Sequence, residues 1–383
     1  MATETSRAAV VDFFPEMRRK VNGYFISNGI SRYANATFYF KALLYFSAMI
    51  GGYCFLLIRG DHSLIELWLG YMLYLVSTGL LVVTVAHDGS HNAVSKKKII
   101  NSILATTWNL LGMSRRIWEA KHHQSHHIHT NLPHQDLDIM ENKILRFSPE
   151  YTWRPWHRYQ HLYAPLVYLL FGPFQIFIKD FMLYYSDKFK IRDKHLNSPT
   201  FPFMLILTKI TFVSISFIIP MAFIETTFTS MVVIYMLAIS VTGFLLLLIL
   251  AVPHLNETGV WGGEGVEVRS QREWAWVQLK TTVDSSPESV MLSWITGGLN
   301  THLAHHLFPH ICHIHYRSIT RVIKRELKHQ GLPYYGVPAW KLLLSHLRLL
   351  RSLGMPVNSY SLNPAVNPLG NLRAMQPVVI ADK

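Results

Sequence analysis

The chain has 383 residues, half of them apolar and only 15% charged, well below the roughly 25% charge usual in soluble domains. That composition excludes an ordinary soluble globule and points to a protein whose solvent is partly lipid. The net charge of +13 does not point to nucleic acid, because the basic residues lie between long apolar runs, where anionic headgroups or acidic partners are the natural counter-charge.

In chain order, the first 35 residues carry both charge signs and no long apolar core, so no cleavable signal is read there. A spanning helix needs about 20 apolar residues. Four runs meet that length, from about Phe38 to Ile58, Leu67 to Ala86, Phe203 to Phe223 and Met231 to Val252. The connections Arg59–Glu66 and Glu225–Ser230 leave room only for tight turns, so the spans pair into two helical hairpins. Ile99–Met113 is short and follows Lys96, Lys97 and Lys98, while Leu162–Ile178 is broken by Pro165 and by Gly172-Pro173. Both are expected to lie at the membrane surface. With four crossings, the N-terminus, His87–Thr200 and everything after Pro253 share one side. That side carries Arg115, Arg116, Lys188, Lys190 and Arg192, then Arg321, Lys324, Arg325 and Lys328, and the excess of positive charge places it in the cytoplasm. The two cysteines, Cys54 in an apolar run and Cys312 in a histidine-rich stretch, do not read as a disulfide, which suits a reducing compartment. The tail, 355–383, with Pro356, Pro364 and Pro368, is expected to be irregular.

Histidine is the anomaly, with 21 copies gathered mostly in short stretches. His87-Asp88-Gly89-Ser90-His91 closes the second apolar run, and its i, i+4 spacing puts both imidazoles on one helix face. His122 opens an HxxxHH pattern with His126 and His127, and His123 opens HxxHH as the alternative phase. His302, His305 and His306 form a further HxxHH, and His254 stands alone just past the last span. Neutral imidazole is a good ligand for iron, zinc, copper and nickel. Eight clustered histidines plus His254 exceed what one tetrahedral ion uses, so two ions sharing the set is the economical reading. Asp88, Asp136 and Asp138 are placed to orient ligating rings by accepting their other N–H, and Asn300 to hydrogen-bond a metal-bound water. His310, His313 and His315 read as supporting residues.

These residues resemble the integral-membrane fatty acyl desaturase and hydroxylase superfamily. The boxes HxxxH, HxxxHH and HxxHH occur in its order, with two spans before the first and two between the second and third. His87-Asp88-x-x-His91, Lys121-His122 leading to His126-His127-x-x-Thr130-Asn131, Gly297-Gly298-Leu299-Asn300, and the run from His305-His306-Leu307-Phe308-Pro309-His310 to Tyr316 are similar to bacterial acyl desaturases related to front-end enzymes. The likeness covers roughly residues 15 to 350, and its Lys121-His122 phase selects His122 over His123.

The resemblance implies an all-α membrane protein, with four transmembrane helices in two hairpins and a cytoplasmic helical cap carrying a histidine-rich di-metal site. It divides the chain into a cytoplasmic segment, 1–37, a fatty acid desaturase domain, 38–354, and the tail. It implies two iron ions held by His87, His91, His122, His126, His127, His254, His302, His305 and His306, with Asp88, His123, Asp136, Asp138 and Asn300 around them. O2 is the co-substrate, and the acyl chain is linked to CoA, acyl carrier protein or lipid. The implied setting is a bacterial inner membrane or the endoplasmic reticulum, with the site facing the cytoplasm. Two departures matter. His302 stands where Δ5/Δ6 front-end enzymes often carry Gln, and no His-Pro-Gly-Gly haem motif occurs, so electrons are expected from a separate ferredoxin or cytochrome b5. The same scaffold also supports hydroxylation or acetylenic-bond formation. A metal-ion transporter is the reading from another class, against which stands the lack of histidine in the middle of the spans.

Overall fold

The computed structural model describes residues 12–58, 61–186, 195–259 and 268–356. Arg59, Lys188, Lys190 and Arg192, and the tail from 357 onward, lie outside the described residues. The fold is helical. Among the described residues, four helices are long and apolar enough to span a bilayer: α2 (Ala36–Ile58), α3 (Leu64–Ser90), α8 (Phe201–Phe223) and α9 (Phe228–Leu250). α3 starts at a capping box, in which the Ser63 hydroxyl accepts from Glu66 N–H and the Glu66 carboxylate accepts from Ser63 N–H, satisfying two otherwise orphaned donors. The spans differ in burial. About 72% of the apolar window of α3 is buried, against 22% for α8, so α3 is the central post and α8 turns side chains such as Phe203 and Ile210 outward, as a lipid-facing helix must.

The N-terminal segment contains α1 (Phe14–Ser27), whose Phe14, Met17, Val21 and Phe25 share one face. They pack on Ile319, Ile323 and Leu327 of α13 (Tyr316–His329) and on Ala275 and Leu279 of α10 (Gln271–Thr281). At about 1.5–3 kcal/mol for each large apolar side chain fully buried, four such residues clamp α1 firmly to the cap.

The region from Ile99 to Met113 is a short helix, α4 (Lys98–Ala105), running into a 3-10 turn, Thr106–Leu111. It crosses the end of α3 so closely that a Cβ on Gly89 would lie 2.8 Å from the backbone of Asn101 and Ala105, which is why glycine follows Asp88. Leu162–Ile178 departs from a flat surface helix. It belongs to two helices, α6 (Pro155–Leu169) and α7 (Phe171–Tyr184), bent by 61°. Their apex is driven against α9, where a Cβ on Gly172 would meet Ile239 O at 2.3 Å and the Gly243 Cα at 3.2 Å. Pro173, in the first turn of the second helix, has no N–H to carry the ladder back to the first, and the missing side chain of Gly172 lets the two backbones touch.

The histidines at the end of α3, on α5 (Arg115–Lys121, prolonged through His122–His126 and His127–His129), after α9 and on α12 (His302–Leu307) meet at one place. The chain between His127 and His254 therefore crosses the apolar layer an even number of times. α8 and α9 supply two crossings, so the bent pair leaves on the side it entered. A minimal parallel pairing of Asp284–Ser285 with Gly336–Val337, the first followed by the short helix α11 (Val290–Ile295), ties the cap together. There Asp284, fully buried, accepts from the Tyr334 hydroxyl (2.6 Å) and from Leu303 N–H (2.8 Å) at the start of α12. Burial pushes its carboxyl up to about 6.

Candidate metal centre

The local backbone sets the aim of each box. His122–His126 is a π-helical turn with i→i+5 hydrogen bonding, a geometry often found at functional sites. It brings residues five apart, not four, into register, so His122 Nε2 faces His127 Nε2 at 3.1 Å. A second π turn, Val82–Ala86, precedes His87. His91 lies just past the end of α3.

The rings form two adjoining nests. In the first, ligand atoms of His87, His91, His122 and His305 lie within 4.8 Å of one another. In the second, His126, His254 and His306 do so, and His302 Nε2 comes within 2.8 Å of His254 Nε2. His127 stands between them, within the same range of His305 and His306. All nine histidines read from the sequence thus converge. His123 sits beside the first nest, its ring centroid 4.4 Å from that of His91, and belongs to neither.

The outward nitrogens are tied down. His126 Nδ1 donates to Asp136 (3.0 Å), His254 Nδ1 to Thr281 O (3.2 Å), His302 Nδ1 to Leu299 O (2.8 Å) and His306 Nδ1 to Gln278 Oε1 (2.8 Å). Each acceptor is an oxygen without a proton, so the proton is on Nδ1 and a neutral ring keeps a lone pair on Nε2. Yet the Nε2 atoms of His126, His302 and His306 lie 2.8–3.2 Å from that of His254. Lone pairs opposed at that distance repel unless a cation stands among them. In the first nest, both nitrogens of His87 and the Nε2 atoms of His91 and His305 are buried without a hydrogen-bond partner among the described residues, a costly state for polar atoms. The donor set fits a bound metal.

Electrostatics keeps six of these rings unprotonated. Burial first, then neighbouring imidazoles, holds His91, His122, His127, His305 and His306 well below the usual histidine range. Burial brings His302 down to about 3. His126 is the exception: burial lowers its pKa, but Asp136 and Asp138 outweigh it and the net shift is upward.

The supporting residues are less uniform. Asp136 holds His126. Asp138 lies 3.7 Å from the same ring nitrogen and is paired with Lys121 and Lys179. Asp88 does not reach its neighbour His87, whose Nδ1 is 3.8 Å away. It accepts instead from His313, at the backbone N–H (2.9 Å) and at Nδ1 (2.8 Å), and His313 Nε2 meets buried Lys41 at 3.1 Å. Asn300 donates its amide to Ser286 O (3.2 Å) and faces the Thr296 hydroxyl, turned to the preceding turn and away from the nests. Sequence reasoning missed Gln278 on α10, Tyr316, whose hydroxyl lies 3.2 Å from His305 Nδ1, and Trp118, stacked on His122 at 4.2 Å.

A cavity of about 110 Å³ opens from the imidazoles into the apolar layer. Val83, Trp108, Phe171, Leu246 and Leu250 form its walls, and Lys121, Asp138 and Lys179 its one charged flank. Met113, Phe171, Gln175 and Leu246 also line a narrower pocket that continues to Ile239 and Gly243.

Fold and site together define a membrane protein with a buried polyhistidine centre at the end of its spans and an apolar slot beneath it. The family described as Fatty acid desaturase matches residues 63–338, and the chain belongs to that family. It is an oxidoreductase of the fatty acyl desaturase class. It is 30% identical to a sn-1 linoleoyl-lipid 6-desaturase of Synechocystis, over 88% of this chain and 94% of that one. It is 29% identical to a sn-1 linoleoyl-lipid 6-desaturase of Arthrospira platensis, over 87% and 91%. An acyl-lipid (8-3)-desaturase of Physcomitrium patens is 26% identical, over 90% of this chain and 72% of that protein.

Proposed function

We propose that the protein is an O2-dependent desaturase of lipid-linked acyl chains, with two irons held by His87, His91, His122, His126, His127, His254, His302, His305 and His306. The observation that carries this is the opposed set of Nε2 lone pairs, each imposed by an Nδ1–H bonded outward. A ligand set made of neutral imidazoles suits iron and leaves positions open to O2. When bound, the metal pair supplies the redox chemistry that removes two hydrogens from adjacent methylenes. The balance is one acyl CH2–CH2, one O2, two electrons and two protons giving one CH=CH and two waters.

The protein's own part is placement. An unactivated alkyl chain offers no polar handle, so the carbon attacked is chosen by position. The chain lies in the slot between α3, α9 and the bent pair, with Trp108 and Phe171 confining it and the Gly172–Gly243 contact below. Asp136, Thr281, Leu299 and Gln278 fix ring tautomers and directions, so the ligands are preorganised. Lipid linkage is supported by the relatives, named for lipid-linked substrates. The basic face is cytoplasmic by the positive-inside rule, and a separate carrier protein provides the electrons.

The test is acyl profiling of a host that expresses the protein, compared with His305→Ala. New products two hydrogens lighter, absent from the variant although it still inserts in the membrane, support the proposal. Products heavier by one oxygen point to hydroxylation on the same scaffold, and unchanged lipids overturn the assignment.

A further inference from the structure

His91 differs from the other eight converging histidines. They are buried, and it is half-buried. Beside it stands His123, also half-buried. His310 is exposed in the loop after α12, and that loop is tied to the turn carrying His91 where His313 bonds Asp88. These three imidazoles form a strip from the first nest to the protein surface. None of the three lines the apolar cavity, which is walled by His87, His122, His126, His254, His302 and His305. Substrate and surface strip therefore approach the centre from different sides.

The strip has a basic rim. Ala34 N–H donates to Val94 O (3.1 Å) and Cys312 N–H donates to Arg32 O (3.0 Å). These bonds pin Arg32 between the segment after His91 and the loop that carries His310. Arg18 is on the exposed side of α1, whose Phe14 and Phe25 pack on Phe308 and His315 on either side of His310. Lys96 is exposed on the Val94 segment. The nearby carboxylates are spoken for: Glu16 by Arg19 and Lys20, Glu119 by Arg115 and Arg116. Among the described residues no carboxylate pairs with Arg18, Arg32 or Lys96.

We propose that the face where His91, His123 and His310 emerge, ringed by Arg18, Arg32 and Lys96, is the docking surface for a small acidic one-electron carrier protein. This rests on the proposed function, in which each double bond consumes two electrons delivered one at a time. Uncompensated positive charge around an exposed imidazole edge steers an acidic partner and fixes its orientation. Contact at this edge reaches the first nest through His91 without crossing the lipid-facing slot. The carrier is oxidised by one electron per encounter, and the protons come from water.

The test uses the full-length protein in lipid nanodiscs, with a [2Fe–2S] ferredoxin as probe. Arg18→Glu/Arg32→Glu is compared with Arg348→Glu/Arg351→Glu, which reverses two exposed charges on α14 (Ala339–Leu353). The expected result is ferredoxin binding at least ~10-fold weaker at low salt in the first variant, with a matching fall in ferredoxin-driven desaturation. The second variant stays at wild-type level, and dithionite-driven desaturation is unchanged in both, which also shows that the variants are folded. Wild-type binding by the first variant, equal losses in both, or no binding by the wild type overturns the proposal. Absence of dithionite-driven desaturation in the wild type counts against the proposed function instead, while the binding comparison still decides the docking surface.

Discussion

α3 and α8 are both long apolar helices, yet they live under different rules. α3 is buried on most sides, carries His87 in its last turn and sets one wall of the slot. α8 buries little and meets lipid with most of its surface. Apolar content alone does not separate them. What separates them is that α3 carries residues whose positions are dictated by partners far away in sequence, whereas α8 needs only to be greasy and long. Sensitivity to substitution should follow that division.

The largest effect is expected at the centre. His126→Ala or His254→Ala should abolish desaturation and sharply reduce bound metal, read by product analysis and elemental analysis, while the protein still inserts in the membrane. Next come the groups behind the ligands. Asp136→Asn and Gln278→Leu should each weaken metal retention by about 10–100-fold, measured by chelator competition. Equal retention in both variants would show that the outward hydrogen bonds do not preorganise the rings.

The slot wall should be less sensitive. Gly172→Ala places a methyl 2.3 Å from Ile239 O, and overpacking of that kind costs about 1–3 kcal/mol, visible as a lower Tm in detergent. A fourth expectation concerns pH. With metal chelated, rings such as His302, at about 3 when folded and near 6.5 when unfolded, take up protons more readily in the unfolded chain. Their neutral burial stabilises the fold above pH 6.5, and that contribution is lost progressively as pH falls from 6.5 toward 3. The Tm of the stripped protein should therefore drop across that window, with bound metal opposing the drop by competing with protons. The smallest effect is expected on α8, where Ile210→Ala, at a 57% exposed position, should change stability by less than about 0.5 kcal/mol.

The same division explains what the sequence made legible. Apolar runs of about 20 residues fix spans by local composition, and histidine boxes declare themselves by spacing. Gln278 and Tyr316 carried no such sign, since one sits in an ordinary amphipathic helix and meaning came only when α10 packed beside α12. Asp88 looked like a partner for its neighbour His87, but its carboxylate reaches His313, 225 residues away, a contact that no local pattern encodes. The flat helix expected over Leu162–Ile178 became a bent pair because Gly172 found Gly243, and glycine-on-glycine contact leaves no hydrophobic signal. His123 and His122 are equivalent by composition; the Lys121-His122 phase favours His122, and the π-helical turn is what brings it to face His127.

The central claim is that imidazole nitrogens from four separated segments hold a pair of iron ions. Elemental analysis of protein purified from iron-replete cells measures it directly. The account predicts about two irons per chain, falling to less than half of that in His254→Ala, whose ring meets three others. Iron-free protein that still desaturates, or a His254→Ala variant with full iron content, would contradict it.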